Sequence, residues 1–511
     1  MKKTTGMKRN ITKYFGVVLA AAALTLSSCS KSFLELEPRG SDLEDNFYKN
    51  EEQVYQGLIA VYDVMQWGTS GGYTMKMPLL SVASDEAHAG GSDASDQPGW
   101  VSYDNFTMTS FIGPQVGLWS KSYTGIYRAN LILSKIENST SLGTNFRARV
   151  TAEAKALRAY FYFDLIRWFG HIPLIIANIP TADLYKQTQA EPAAVWTQIE
   201  KDLREAITDL PLTIPVSENG RISKNGAKAL LGKVILFQNN NARMAEAATL
   251  FNEVNTAPNY SLLPNYGDIF RPDNRFSSES IWEIPHSNAA AWGDWGWING
   301  GEGNVAPQFI GMDGYAGSTY SAGWGFAPIS LDLVTAMQGD PRFQYTIIDG
   351  AALRANGATY NARYQNTDYF IKKYAPMQSF RSAVGTAELN WPYNEIEIRL
   401  ADTYLMEAEC LLRSGGSTTR AGDLLNGRTG FVGVRSRVGL PAVAVTLDNV
   451  YKERQLELAT EGHRFFDLIR TNRAATVLGS KGFTSGKNEI LPIPQSEIDI
   501  SQGNLKQNPG Y

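Results

Sequence analysis

The stretch AEAKALRAYFYFDLIRWFGHIP, residues 152 to 173, constrains the fold more than any other part of the chain. Its apolar side chains recur at three- and four-residue spacing, the period of a helix that buries one face. Gly170 stands where a C-terminal cap belongs, and Pro173 bars continuation. A helix this long and this apolar must be covered by others. The same period runs from Asp45 to Val64, with Phe47, Val54, Leu58 and Val61 on one face, and again from Leu118 to Ile136. Further helices are expected over Ala193–Leu210, 223–238, 242–255, 398–414 and 447–470. The fold class is therefore mainly α.

Small residues at Ala227, Ala229 and Gly232 let the shorter helices pack closely. Antiparallel pairs of this kind are similar to tetratricopeptide units, here with irregular spacing and an incomplete repeat signature. The middle of the chain differs. From 266 to 395 it is rich in Gly, aromatic, Asn and Asp residues and has no sustained helical period, as in GMDGYAGSTYSAGWGFAP (311–328). Irregular stretches of that length are functional or disordered, and the aromatic density argues for order. The expected architecture is a helical scaffold carrying an irregular, aromatic-rich face.

The first residues read as an export signal. Lys2, Lys3, Lys8 and Lys13 precede the apolar run FGVVLAAAALTL, which is too short to span a bilayer of about 30 Å. Leu-Ser-Ser-Cys follows, ending at Cys29, and is similar to a bacterial lipobox whose Cys is lipidated. Residues 1–28 are then a signal peptide, 29–45 a lipidated tether, and 46–511 a single domain held at a membrane surface. The only other cysteine, Cys410, lies in a helical run and is expected to be buried. A net charge of −4 and a pI near 5.8 argue against nucleic acid as a partner.

Enzyme motifs find no supporting context. GTSGG (68–72) lacks the strand and helix of a nucleophile elbow, and Pro307 breaks the helix that GEGNVA would need. The histidines at 88, 171, 286 and 463 show no zinc-type pairing, so neither metal nor cofactor is expected. Glu453, Glu457 and Glu461, interleaved with Arg454, Arg464 and Arg470, line one expected helix face and read as structural ion pairs. They are not the opposed carboxylates of a glycosidase. The loop SDEAHAGGSDASDQPGW (84–100) offers Asp85, Glu86, Asp93 and Asp96 without calcium-loop spacing.

Four segments carry a resemblance to a known family: the lipobox through FLELEP; EAKALRAYFYFDLIRWFGHIPL (153–174); RLADTYLMEAECL (399–411) with ERQLELATEGHRFFDLIR (453–470); and the tail LPIPQSEIDISQGNLKQNPGY (491–511). In this order they resemble the RagB/SusD outer-membrane lipoproteins over nearly the whole chain. The resemblance implies a helical body with four tetratricopeptide-like pairs, glycan binding without cleavage, and a SusC-like TonB-dependent transporter as partner. It places the protein at the outer-membrane surface, anchored through Cys29. One departure is GRTGFVGVRSRVGLP (427–441), similar to a local insertion after the 420–426 helix.

Against that background WGDWGWINGG, residues 292–301, reads as a glycan platform. A sugar presents C–H faces that stack on the electron-rich face of an indole, while its hydroxyls seek Asp, Asn, Gln or Arg. In an extended segment Trp295 and Trp297 point to the same side. Trp292 completes the cluster, with Asp294 and Asn299 beside it. The alternative is that these rings fill a core beneath the loops. Trp282, in the apolar SIWEIP run, is assigned to the core. Further contacts are expected from the loops at Gln66–Tyr73, Asp85–Trp100, Tyr315–Trp324 and Arg354–Arg363. They put forward Trp67, Asp93, Asp96, Gln97, Trp100, Tyr315, Tyr320, Trp324 and Arg363. The segment is not rich in Lys or Arg, so a neutral glycan is favoured, and the resemblance extends to members that bind β-glucans of the laminarin type. Two other readings stand beside it: a surface glycoside hydrolase, and a helical-repeat adapter that binds only protein.

Overall fold

A computed structural model of the chain describes residues 47–69, 72–113, 115–137, 139–290 and 301–511. Cys29 and its tether lie outside them, as do Trp292, Asp294, Trp295, Trp297 and Asn299. Within Asn50–Tyr511 the principal helices are α1 (Glu51–Gln66), α2 (Lys76–Val82), α3 (Pro98–Asp104), α4 (Gln115–Ile136), α5 (Thr144–Phe169), α6 (Pro192–Asp209), α7 (Lys224–Phe237), α8 (Met244–Asn255), α9 (Leu400–Ser414), α10 (Thr418–Asn426), α11 (Leu447–Glu457) and α12 (Arg464–Arg470).

α1 packs on α4, and α4 to α10 form a row in which each helix packs on the next. Neighbours run antiparallel. Arg158 of α5 pairs with Asp202 of α6 at 2.7 Å, and Lys155, one turn earlier, pairs with Glu205 at 2.7 Å. These are the expected helix pairs. In α5, Ala154 through Phe163 are covered apart from Lys155. It ends at Gly170, whose N–H donates to Ile166 O. α7 and α8 approach so closely that a Cβ on Gly232 would stand 2.8 Å from the Phe251 ring. Cys410 is buried beside Met244, and Trp282 is buried with its Nε1 donating to Gly220 O at 3.1 Å.

Between 266 and 395 the described helices are short, running four to six residues in α-helical form. Two small antiparallel sheets stitch this region together. β1 (Ser280–Ile284) pairs with β4 (Glu395–Arg399), and β2 (Ile347–Asp349) pairs with β3 (Tyr369–Ile371).

The helix expected over 447–470 is two helices. α11 stops at Glu457 and α12 starts at Arg464, with Thr460 (φ 63°) and Gly462 (φ 79°) in the left-handed region between them. The break lets the α2 backbone close in, since a Cβ on Gly462 would lie 3.1 Å from Met77 Cα. Glu461 therefore leaves the face it was expected to share with Glu453 and Glu457, but it keeps the ion-pairing role. Arg399 Nε lies 2.7 Å from Glu461 and its Nη1 2.7 Å from Glu457. Arg342 reaches Glu453 at 2.6 Å and Glu457 at 2.8 Å, and Lys373 meets Glu461 at 2.7 Å. All are buried. Burial works to raise the Glu457 pKa, and the guanidiniums of Arg437, Arg399 and Arg342 overcome it and hold the group well below the usual carboxylate range.

The segment 427–441 has a part in this cluster. α10 closes at Asn426 with Gly427 (φ 78°) as its cap, and a single helical turn, Val434–Arg437, follows. From that turn Arg435 pairs with Glu453 at 2.6 Å, and Arg437 pairs with Glu279 at 2.9 Å and with Glu457.

Candidate functional site

Three of the four loops named from the sequence converge on one face, joined by Tyr73 at the end of the fourth. The chain at 87–91 is zipped along 325–329: Gly91 N–H donates to Gly325 O at 3.0 Å, Ala327 N–H to Ala89 O at 3.0 Å, and His88 N–H to Pro328 O at 2.9 Å. Tyr364 N–H donates to Gly91 O at 3.1 Å and brings in the 354–363 loop. At the centre the strand-like passes at 311 and 323 lie back to back. A Cβ on Gly323 would sit 2.3 Å from Gly311 Cα, so only glycine permits the approach. That crossing, with Trp324 N–H donating to Gln308 O at 2.9 Å, fixes the backbone that carries Trp324.

Two half-buried rings meet there. Tyr73 and Trp324 have centroids 5.8 Å apart with planes at 59°. Beneath them is a fully aromatic bed. Phe309 stacks on Phe326 at 4.1 Å and 12°, and Trp100 packs on Phe309 at 4.4 Å. Trp324 also packs against Val305 and Leu389, next to the stem from which residues 291–300 depart. Asn390 Nδ2 donates to Ala290 O at 3.2 Å, and Asn304 N–H to Trp391 O at 2.8 Å, so both ends of that segment are tied to 390–391.

The rim is polar. Arg363 Nε donates to Asp313 Oδ2 at 2.8 Å and Asn361 Nδ2 to the same oxygen at 2.6 Å. The guanidinium is raised in pKa first by its hydrogen bond to Asp313, then by the charges of Asp313 and Asp96. Asp96 accepts from Ser92 N–H at 3.0 Å and Ser92 Oγ at 2.9 Å. Gln97, with φ 53°, turns the chain into α3. Asp93 is exposed at the loop tip, where Ser95 holds its carboxylate through N–H (2.7 Å) and Oγ (2.6 Å).

Other sequence-derived residues require correction. Trp100 is 2% exposed and is part of the bed: its Nε1 donates to Tyr73 O at 3.0 Å, so it props the loop that carries Tyr73. Tyr315 and Tyr320, 8% and 7% exposed, turn inward onto Ile348 and Phe370, the apolar faces of β2 and β3. Trp67 is half-buried, its ring under the Arg128 guanidinium (5.0 Å) and its Nε1 donating to Asp63 at 3.2 Å. Asp85 is bound by both edges of Arg464 at 2.8 Å, and Glu86 is buried against Thr460 N–H. Both acids face the core. Burial, then the neighbouring Asp85 charge, pushes Glu86 up to about 8. Tyr73, Asn361 and Asp313 were not singled out, and no local pattern marks them. Only their loops did.

One buried carboxylate holds the loops in register. Asp104 Oδ2 accepts from Ala89 N–H at 3.1 Å and Gln365 Nε2 at 2.7 Å, and Gln365 Oε1 accepts from Gly90 N–H at 3.1 Å. Lys481 Nζ lies 2.6 Å from Oδ1. Burial works to raise its pKa, but the hydrogen bond from His88 and the Lys481 ammonium bring it down to about 2. An unfolded aspartate titrates at about 3.9. The folded value is depressed, so the stabilisation is present above about pH 4 and is lost as pH falls toward 2. It amounts to about 2–3 kcal/mol. Asp104→Asn is expected to remove it, so that the stability gap between wild type and variant, read from urea denaturation, narrows from pH 6 to pH 2. A gap constant with pH would refute the assignment.

Two half-buried rings beside carboxylate, amide and guanidinium groups suit a ligand with apolar faces and a hydroxyl-bearing edge. Comparison with known proteins agrees with this chemistry. The profile of the SusD family matches residues 278–511, and that of the family described as starch-binding, associating with the outer membrane, matches 32–236. A laminarin binding SusD-like protein of known structure is 44% identical, with a TM-score of 0.84, covering 91% of this chain and 100% of that one. Surface glycan-binding protein A from Bacteroides thetaiotaomicron, solved in complex with laminarihexaose, is 28% identical with a TM-score of 0.82, covering 90% and 99%. The SusD-like protein P25 of Formosa agariphila is 24% identical, over 95% of this chain and 97% of its own length.

Proposed function

The chain belongs to the SusD family, and from that premise we propose that it is a non-catalytic cell-surface glycan-binding protein. It captures a neutral oligo- or polysaccharide, with a β-1,3-glucan favoured, and passes it to a SusC-like TonB-dependent transporter. The lipid at Cys29 holds it to the outer membrane. The observation that carries the reading is the Tyr73–Trp324 pair, set at 5.8 Å on a rigid aromatic bed and edged by Asp96, Gln97, Asn361 and Arg363. The two rings offer stacking faces, and the rim offers donors and acceptors for hydroxyls. Trp292, Trp295 and Trp297, with Asp294 and Asn299, lie outside the described residues and are proposed as further contacts to the same glycan. The laminarin-binding protein at 44% identity supports the choice of β-1,3-glucan.

Binding without cleavage accords with the carboxylates at the rim. A glycosidase needs one acid free to donate a proton and a second group across the bond. Asp313 is shared between Arg363 and Asn361, and Asp96 is held by Ser92.

The test is affinity electrophoresis of the mature protein in gels cast with a β-1,3-glucan, a fructan, a starch and charged glycans. Retardation by the β-1,3-glucan, weakened in Trp295→Ala and in Trp297→Ala, is expected, with no release of reducing ends. Release of reducing ends would favour the hydrolase, and mobility unchanged by every glycan would favour the protein adapter.

A further inference from the structure

A second cleft lies away from the converging loops, between the α6–α7 connection (residues 212–223) and the segment 259–283. It encloses about 440 Å³, within the range of small-molecule sites. Its floor is rigid. Trp282 Nε1 holds Gly220 O at 3.1 Å, and Gly220 packs so tightly on Pro285 that a Cβ there would lie 2.8 Å from Pro285 Cγ.

The groups facing the cleft divide by charge. Arg221 is committed to Glu153 (2.6 and 2.9 Å) and to Glu218 (2.7 Å). Glu283 is committed to Asn394 (2.7 Å) and to Phe276 N–H (2.9 Å). The side chains of Thr213, Asn219, Asn259 and Ser277 make no hydrogen bond among the described residues. What the cleft leaves unspent is therefore neutral amide and hydroxyl. It also presents an aromatic ring at some cost. Phe276 is half-buried with φ 55°, a region that favours glycine, and the carboxylate on its N–H holds it there. A half-buried, strained aromatic beside unspent neutral polar groups is the chemistry that takes a sugar ring.

We propose that this cleft is a second carbohydrate-binding site, for a neutral oligosaccharide, with Phe276 as the stacking ring and Asn219 and Asn259 as hydrogen-bonding partners. The ligand class rests on the glycan reading above. Asn219–Arg221 also border a smaller groove lined by Gln66, Pro285 and Glu302.

Hydrogen–deuterium exchange on the full-length protein, with and without laminarihexaose and then each glycan of the panel, tests the proposal. Expected is slowed exchange in 212–223 and 259–283 that survives Trp324→Ala. In Phe276→Gly the ligand concentration for half-protection should rise about tenfold, the scale of a lost aromatic anchor. Glycine suits the backbone at 276, so this variant keeps its fold. Protection confined to 85–97 and 311–326 would overturn the second site and leave the first. Protection confined to the cleft would support the second site and count against the first. Protection nowhere, with any glycan, would overturn both.

Discussion

Arg399→Met is expected to destabilise the protein by about 3–5 kcal/mol, the cost of leaving buried charge uncompensated. Arg399 is 1% exposed and serves three carboxylates: Glu461 through Nε, and Glu457 and Glu279 through Nη1 at 2.7 and 3.0 Å. Its Nη2 also donates to Glu457 O at 2.8 Å. Without it Glu461 retains Lys373 and Glu457 retains Arg342 and Arg437, but Glu279 is left with Arg437 as its one cation, beside the Leu263 N–H at 2.9 Å. Methionine fills the volume of the stem, so the loss is electrostatic and not a cavity. Urea denaturation at neutral pH reads the change. Adding Glu279→Gln should recover part of it, because the second change neutralises the carboxylate left with a single cationic partner. A single-variant loss below about 1 kcal/mol would mean that the cluster is solvated and contributes little.

The second large effect is on binding. Trp324→Ala is expected to weaken glycan affinity by ten- to a hundredfold, about 1.4–2.8 kcal/mol, as for other truncated aromatic anchors. The fold should persist. Trp324 is only half-buried, and its packing on Val305 and Leu389 lies at the edge of the core. Two companions separate contact from support. Tyr73→Phe keeps the ring face and should retain most affinity. Trp100→Phe keeps the aromatic bed but loses the Nε1 bond to Tyr73 O, so it should bind more weakly by displacing Tyr73. Isothermal titration with a β-1,3-glucan hexasaccharide measures all three. Equal affinity of Trp324→Ala and wild type would remove the ring from the site.

The helices were legible because their signal is local. Apolar period, Gly170 and Pro173 defined α5 without reference to the rest of the chain. The failures came where a distant segment decided. The 447–470 run keeps helical period throughout, yet the approach of α2 opens it at 458–463. Trp100, Tyr315 and Tyr320 have the composition of a binding loop, but whether a ring faces out or in depends on the sheet or bed beneath it. That bed is assembled from 309, 326, 348 and 370, which no spacing links to residue 100 or 315. That three of the loops share one face follows a signal that survives averaging, their glycine and aromatic density. Individual side chains such as Tyr73 and Asn361 did not stand out from it.

The buried ion cluster has a consequence for how the chain folds. Its partners are far apart in sequence: Arg437 with Glu279 across 158 residues, Arg399 with Glu279 across 120, Arg342 with Glu453 across 111. Closing such contacts costs loop entropy before any is repaid, so folding is slow and the contact order high. A nascent chain stalled before residue 454 holds Asp402 and Glu409 without Arg454 and Arg470, and those charges reject a dry core until about the last sixty residues arrive. The binding loops are zipped to the same framework through Asp104 and Lys481. A fragment of Asn50–Tyr511 that carries the aromatic face but lacks the segment around Lys481 is then expected not to fold.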